Sequence, residues 1–199
     1  MKRVLTIFAI FSFIISCNES KQFETTAFRR TVFDTFTYER VQQVTKVLNY
    51  STLNNGVDSF ELRLWTDLGH TDFKSVKVLK YEDSNWHLSE TRYWISGDSS
   101  FPNRGSKIFL DSGNIEFSRL ITPISSILDT LFKFNLVTFP TQSQISGFSD
   151  NVADGLYYDL EVATKNYYKL LSYHEPERYA DNSNRNFSRI LKLLWTRKQ

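Results

Sequence analysis

The sequence predicts an α+β fold: a mostly antiparallel sheet, made of a meander plus a C-terminal hairpin, packed by two amphipathic helices. Three consecutive apolar runs between residues 60 and 95 are joined by short connections, which is the pattern of a meander. Leu156 to Val162 and Tyr167 to Tyr173 form a second pair of runs around Ala163 to Asn166. Residues 123 to 137 and 184 to 197 carry apolar side chains at helical spacing.

The elements follow in order. Met1-Lys2-Arg3 is a short basic segment ahead of Val4 to Ile15, an apolar run broken only by Thr6 and Ser12. This is the pattern of a secretory leader. Twelve residues span roughly 18 Å as a helix, short of a hydrocarbon layer of about 30 Å. The run closes on Ile14-Ile15-Ser16-Cys17, which resembles the lipobox of bacterial lipoproteins: an aliphatic residue three places before the cysteine and a small one directly before it. The resemblance implies that residues 1–16 are removed and that Cys17 becomes a lipid-bearing N-terminus. Two or more acyl chains are what stable anchoring requires. Residues 17–22 then form a tether, and 23–199 one globular domain, a normal size for a single core. Asn18 is not the aspartate that typically retains lipoproteins at the inner membrane, which favours the outer one.

Residues 28 to 48 are ambiguous. Val32, Phe33, Phe36 and Tyr38 allow strands, whereas Val41, Val44, Val47 and Leu48 fall at helical spacing. Asn54-Asn55-Gly56 marks a turn before Phe60 to Trp65, whose strict alternation predicts a half-buried strand. Phe73 to Tyr81 and Trp86 to Ile95 complete the meander. After the Gly/Ser/Pro-rich loop Ser96 to Ser106, two short runs, Lys107 to Leu110 and Ile115 to Leu120, flank Asp111-Ser112-Gly113-Asn114 and predict another hairpin. Thr122-Pro123 is a helix start, with Ile124, Ile127, Leu128 and Leu131 on one face and an end before Pro140. Thr141 to Asp154 is a polar loop. Asn182 or Ser183 caps the last helix, where Phe187, Ile190, Leu191, Leu194 and Trp195 share a face.

Charge excludes one class of partner. The chain holds 24 basic and 22 acidic residues, so losing Lys2 and Arg3 leaves a neutral exported domain. Nucleic acid binding lacks the long-range attraction it needs. Cys17 is the single cysteine, so no disulfide is available.

Catalytic and metal signatures are sparse. His70, His87 and His174 form no HxH or HExxH, and His87-x-x-Glu90 on a strand points to opposite faces, so no metal site or cofactor is expected. Gly147-Phe148-Ser149 lacks the second glycine of G-x-S-x-G, and phosphate-binding glycine motifs are absent. Tyr157, Asp159 and Glu161 share one face of a strand, the two carboxylates about 6 to 7 Å apart, near the spacing glycoside hydrolysis uses. A solvent face dotted with acids, balanced by Lys165, Lys169 and Arg178, is the commoner outcome.

Aromatic side chains on strands are the most unusual feature. Rigid Tyr and Trp plates stack on sugars or anchor partners, and strands also favour them for packing. Trp65 alternates away from Leu62 and Leu64 and is expected to face outward. With Tyr157 and Tyr167 it is the candidate contact for an envelope protein or glycan.

From Leu131 onward, LFKFNLVTFPTQ, DGLYYDLEVATKNYYKLLSYHEPERY and FSRILKLLW resemble a group of small uncharacterised bacterial proteins. That group shares a helix ending in a Phe-x-x-x-x-Phe-Pro-like segment, an Asp-Gly, a Glu shortly after, a Tyr-Lys pair, and a Pro before a terminal amphipathic helix. Asp154, Gly155, Glu161, Tyr168, Lys169, Pro176 and Phe187 occupy those places. Ser172-Tyr173-His174-Glu175-Pro176 stands where a basic-Trp-Ser-Pro segment is expected. The resemblance implies the α+β fold and assigns no activity.

The expectation is therefore a lipid-anchored cell-envelope protein, held to a membrane through Cys17, with a non-catalytic binding or scaffold domain. The alternative is an envelope hydrolase using Asp159 or Glu161 with His174, which requires the imidazole within reach of a carboxylate in a concave pocket. A third reading, neutralising a toxin or protease, requires a large acidic or apolar face.

Overall fold

Successive side chains of a strand point to opposite faces, so alternating residues define two surfaces that each need a cover. The computed structural model describes residues 29–67, 73–97, 108–117, 124–152 and 155–194. The expected leader, Cys17 and the 17–22 tether lie outside them, as do His70, Thr122, Pro123 and Asp154.

The strands are β1 (Arg29–Thr31), β2 (Phe60–Asp67), β3 (Phe73–Glu82), β4 (Asn85–Gly97), β5 (Ile108–Phe117), β6 (Tyr157–Thr164) and β7 (Tyr167–His174). They form one seven-stranded sheet in the order β1-β7-β6-β2-β3-β4-β5. Every pairing is antiparallel except β1 with β7. Three helices pack on it: α1 (Thr35–Val47), α2 (Ile124–Lys133) and α3 (Asn182–Leu193). The architecture is α+β.

Two cores result, one on each face. Leu62, Leu64, Leu79, Leu160, Val162 and Leu171 meet Ile127 and Leu131 of α2 and Phe187, Ile190 and Leu191 of α3. The opposite face, with Trp65, Val76, Val78, Ala163, Tyr168 and Leu170, is closed by Val41 and Val44 of α1. The ambiguous segment thus resolves into a short edge strand and a helix. Asp34 caps that helix by accepting from Phe36 N at 3.0 Å. The two expected helices, α2 and α3, share one face; α1, from the ambiguous segment, covers the other, where Trp65, Val76, Val78 and Leu170 also need burial.

Other boundaries move for local reasons. Residues 107–120 were expected to hold two strands split by a turn, but Ile108 to Phe117 is continuous. β4 runs 13 residues and offers partners throughout. Trp94 pairs with Ser112 and Ile95 with Leu110, so Asp111 is absorbed as a bulge rather than a turn. α2 ends at Lys133 instead of near 137, and Asn135 turns the chain at φ 46°. The cap of α3 is Asp181 rather than Asn182 or Ser183; its carboxylate accepts from Asn184 N at 2.9 Å.

The β1-side end of the sheet needs one glycine. Gly56 has φ +85°, and a Cβ there would sit 2.7 Å from the carbonyl oxygens of Thr164 and Lys165.

Candidate functional site

The face under α1 is built from cross-strand rows. Register places Ser172, Asp159, Trp65, Val76 and Thr91 side by side, and beside them Leu170, Glu161, Arg63, Val78 and Ser89. A third row holds His174, Tyr157, Asp67, Lys74 and Tyr93. Charged side chains thus lie inside the molecule between a helix and a sheet.

Arg40 descends from α1 into these rows. Its guanidinium reaches Asp159 at 2.5 Å and Asp67 at 3.5 Å, while Lys74 meets Asp67 at 2.5 Å. Ser172 Oγ donates to the other Asp159 oxygen at 2.7 Å. Two cations face two carboxylates, and the cluster is neutral. Burial pushes Asp159 above the ordinary Asp range; Arg40 and the Ser172 bond pull it back only in part. Burial also pushes the Tyr93 phenol up, helped by Asp67. Between Arg40, Trp65, Asp67, Lys74, Tyr93 and Asp159 lies a cavity of about 30 Å³. That holds about two waters, against the 300 Å³ or more of an ordinary ligand pocket.

Glu161 sits one row away and is fully buried. Trp65 Nε1 donates to its Oε2 and the Tyr168 hydroxyl to its Oε1, both at 2.8 Å. Arg63 is the directly opposite residue on β2, bonded to Glu61 at 2.7 Å and lying 5.0 Å from the Tyr50 ring centre. Burial raises the Glu161 pKa, and Arg63, Trp65 and Tyr168 offset it incompletely.

His174 closes the third row. Its ring stacks on Tyr157 at 3.9 Å, and Nδ1 lies 2.9 and 3.0 Å from the two oxygens of Asp150. Nε2 is buried without a hydrogen-bond partner. Gln142 brackets the same residue: it accepts from the His174 N–H at 2.7 Å and donates to the His174 carbonyl at 2.9 Å and to Asn184 at 2.7 Å. The imidazole therefore pairs with Asp150, not with Asp159 or Glu161, whose oxygens are bound elsewhere.

The expected contacts are redistributed. Trp65, expected to face solvent, is 5 % exposed because α1 covers the face to which it points. Tyr167 is buried, its hydroxyl donating weakly to the carbonyls of Leu136 and Val137 at 3.4 and 3.3 Å. Tyr157 is half-buried against His174. Asp159 and Glu161 line a layer covered by α1 rather than a solvent face, and their balancing charges are Arg40 and Arg63. Lys169 points to the other face, donating to the carbonyls of Val137 and Phe139 at 2.9 and 2.5 Å, and Arg178 pairs with Glu175. Parity could have assigned Asp159 to Trp65's face; Arg40 carried no signal, because its helix was not separable from a strand.

Several of the residues that carry the C-terminal resemblance hold partners across elements of the fold. Tyr168 bonds Glu161, and Lys169 holds the carbonyl of Phe139 next to Pro140, whose own carbonyl accepts from Tyr173 at 2.6 Å. Phe187 stacks on Tyr173 at 3.9 Å. This pattern ties the sheet to α3 and to the segment after α2. Among the described residues no group of three His, Cys, Asp or Glu is placed to hold a metal ion, and no helix is long and apolar enough to cross a membrane.

No family model, curated protein or solved structure matches the chain.

Proposed function

We propose that this chain is a lipid-anchored protein of the cell envelope, with Cys17 bearing the lipid and the α+β domain acting as a non-catalytic binding or scaffold module. The carrying observation is the short basic start, the twelve-residue apolar run and Ile14-Ile15-Ser16-Cys17 behind it. Asn18 favours the outer membrane. The polar layer supports a module: Asp159, Glu161 and His174 each hold an internal partner, and the cavity beside Asp159 has room for about two waters. A tether raises the local concentration of a weak binder, so modest affinity for an envelope protein or glycan suffices.

A hydrolase reading would run through Asp150 and His174, the one imidazole–carboxylate contact among the described residues. Its Nε2 is enclosed, so a substrate has no approach to the free nitrogen.

Intact-mass measurement on protein purified from its native membrane tests the anchor. A chain beginning at Cys17 with an acyl adduct is expected; a bare sulfur or a retained leader overturns the reading. Turnover of an envelope substrate that disappears in a folded Asp150→Asn variant would overturn the non-catalytic half.

A further inference from the structure

The start of α1 and the residue before its cap leave two phenyl rings in solvent. Phe33 and Phe36 are 49 % and 43 % exposed, two of the four large hydrophobic side chains exposed among the described residues. A hydrophobic residue just before a helix cap ordinarily packs on the residue four into the helix. Here that residue is Tyr38, which instead meets the Tyr168 ring edge-on at 6.3 Å and the Arg30 guanidinium at 4.5 Å. Phe33 is thereby left in water.

The pair lies close to the proposed anchor. Eleven residues lie between Cys17 and Arg29, so extended chain places β1 at most about 40 Å from the lipid. Arg30 is exposed on the α1 side of that edge strand, whereas Arg29 points to the opposite face beside Tyr167 and Lys169. The nearby acids are Asp34, occupied with the Phe36 N–H and the Thr37 hydroxyl, and Glu39.

We infer that Phe33 and Phe36, flanked by Arg30, rest on the bilayer that holds Cys17. The inference depends on the lipid-anchor reading. Phenyl rings at a helix end enter the boundary between headgroups and acyl chains, and an arginine beside them suits anionic headgroups. A contact too weak to recruit a free protein is made effective by the tether. It also orients the domain: β1 and the first turn of α1 lie toward the membrane, and α1 runs from there across the sheet toward β5.

The experiment uses lipidated protein in vesicles of phosphatidylethanolamine and phosphatidylglycerol. Lipidation occupies the chain's single native thiol, so a cysteine introduced by Thr35→Cys or Arg189→Cys takes an environment-sensitive fluorophore alone. On vesicles, emission from position 35 is expected to shift to the blue and that from position 189 on α3 to stay unchanged. Adding Phe33→Ser and Phe36→Ser should abolish the shift with unaltered circular dichroism, since both rings are exposed. An aqueous spectrum at position 35 in protein whose mass shows the acyl adduct overturns the inference and leaves the anchor standing. A shift that grows with protein concentration without vesicles points to a second copy and also overturns it. A bare Cys17 sulfur removes both readings together.

Discussion

Trp65 Nε1 donates to Glu161 Oε2 at 2.8 Å, joining residues 96 positions apart. Each answers a question the other raises. A buried carboxylate needs donors, and a buried indole needs an acceptor. The Tyr168 hydroxyl completes the pair at the second oxygen. Aromatics that look like surface contacts in the sequence here serve as internal hydrogen-bond donors.

Glu161→Leu should be among the most damaging substitutions. It leaves the indole N–H and the Tyr168 hydroxyl without their acceptor and removes the carboxylate opposite Arg63, which keeps only Glu61, a loss of about 3–5 kcal/mol for a broken buried charge arrangement. Trp65→Phe removes one bond to a charged group and should cost about 1.5–3 kcal/mol. Urea titrations read both, and a Glu161→Leu variant as stable as the parent would show that the carboxylate is not held as described.

Glu161 also predicts an acid-side pH dependence. Burial raises its folded pKa above the ordinary 4.5, so above that pH the folded protein retains a proton that the unfolded chain has released. Its contribution is greatest below 4.5 and is lost as pH rises through the folded value. Asp159 is shifted in the same direction. Glu161→Gln should flatten the corresponding slope in urea midpoints measured from acid to neutral pH, leaving the Asp159 part.

Arg40 connects α1 to the sheet through Asp159 and Asp67. Arg40→Met takes the cation from the almost fully buried Asp159, while Lys74 still holds Asp67, and should destabilise by about 3 kcal/mol, the low end for a broken buried pair because the adjacent cavity admits water. Asp159→Asn in the same chain should restore part of the loss. A double-mutant cycle measures the coupling, and additive losses would contradict the pairing.

Lys169 sets an alkaline signature. Burial, with Arg29 nearby, pushes its ammonium down to about 8 from 10.5. Between those values the unfolded chain binds more protons than the folded one, so this residue's contribution rises with pH across the window. The buried phenols act oppositely at higher pH; Tyr158, for one, is pushed up to about 12 from 10.0. Thermal melts of the wild type and Lys169→Met from neutrality to pH 10 should diverge in slope, and parallel curves would contradict the burial of the charge.

Much of the fold was legible because its signals are local. Alternation in Phe60 to Trp65 and in Leu156 to Val162 requires only neighbouring residues, and the spacing of Phe187, Ile190 and Leu191 marks an apolar helix face within a few turns. The site was less legible. Asp159 and Glu161 were correctly placed on one face, yet whether that face meets water depends on α1, whose sequence reads equally as strand. Asp111 to Asn114 looked like a turn because turn residues also fit a bulge when a long neighbouring strand supplies partners.

The amino-acid order alone determined the leader-like start, the cysteine at position 17, the strand periodicities and the absence of metal-ligand spacing, since each depends on residues adjacent along the chain. Only the tertiary structure decided that Trp65 is internal, that Arg40 answers Asp159 and that His174 meets Asp150. Those partners lie tens of residues apart, and neither burial nor the cost of an unpaired charge exists until the sheet and its two helical layers close around them.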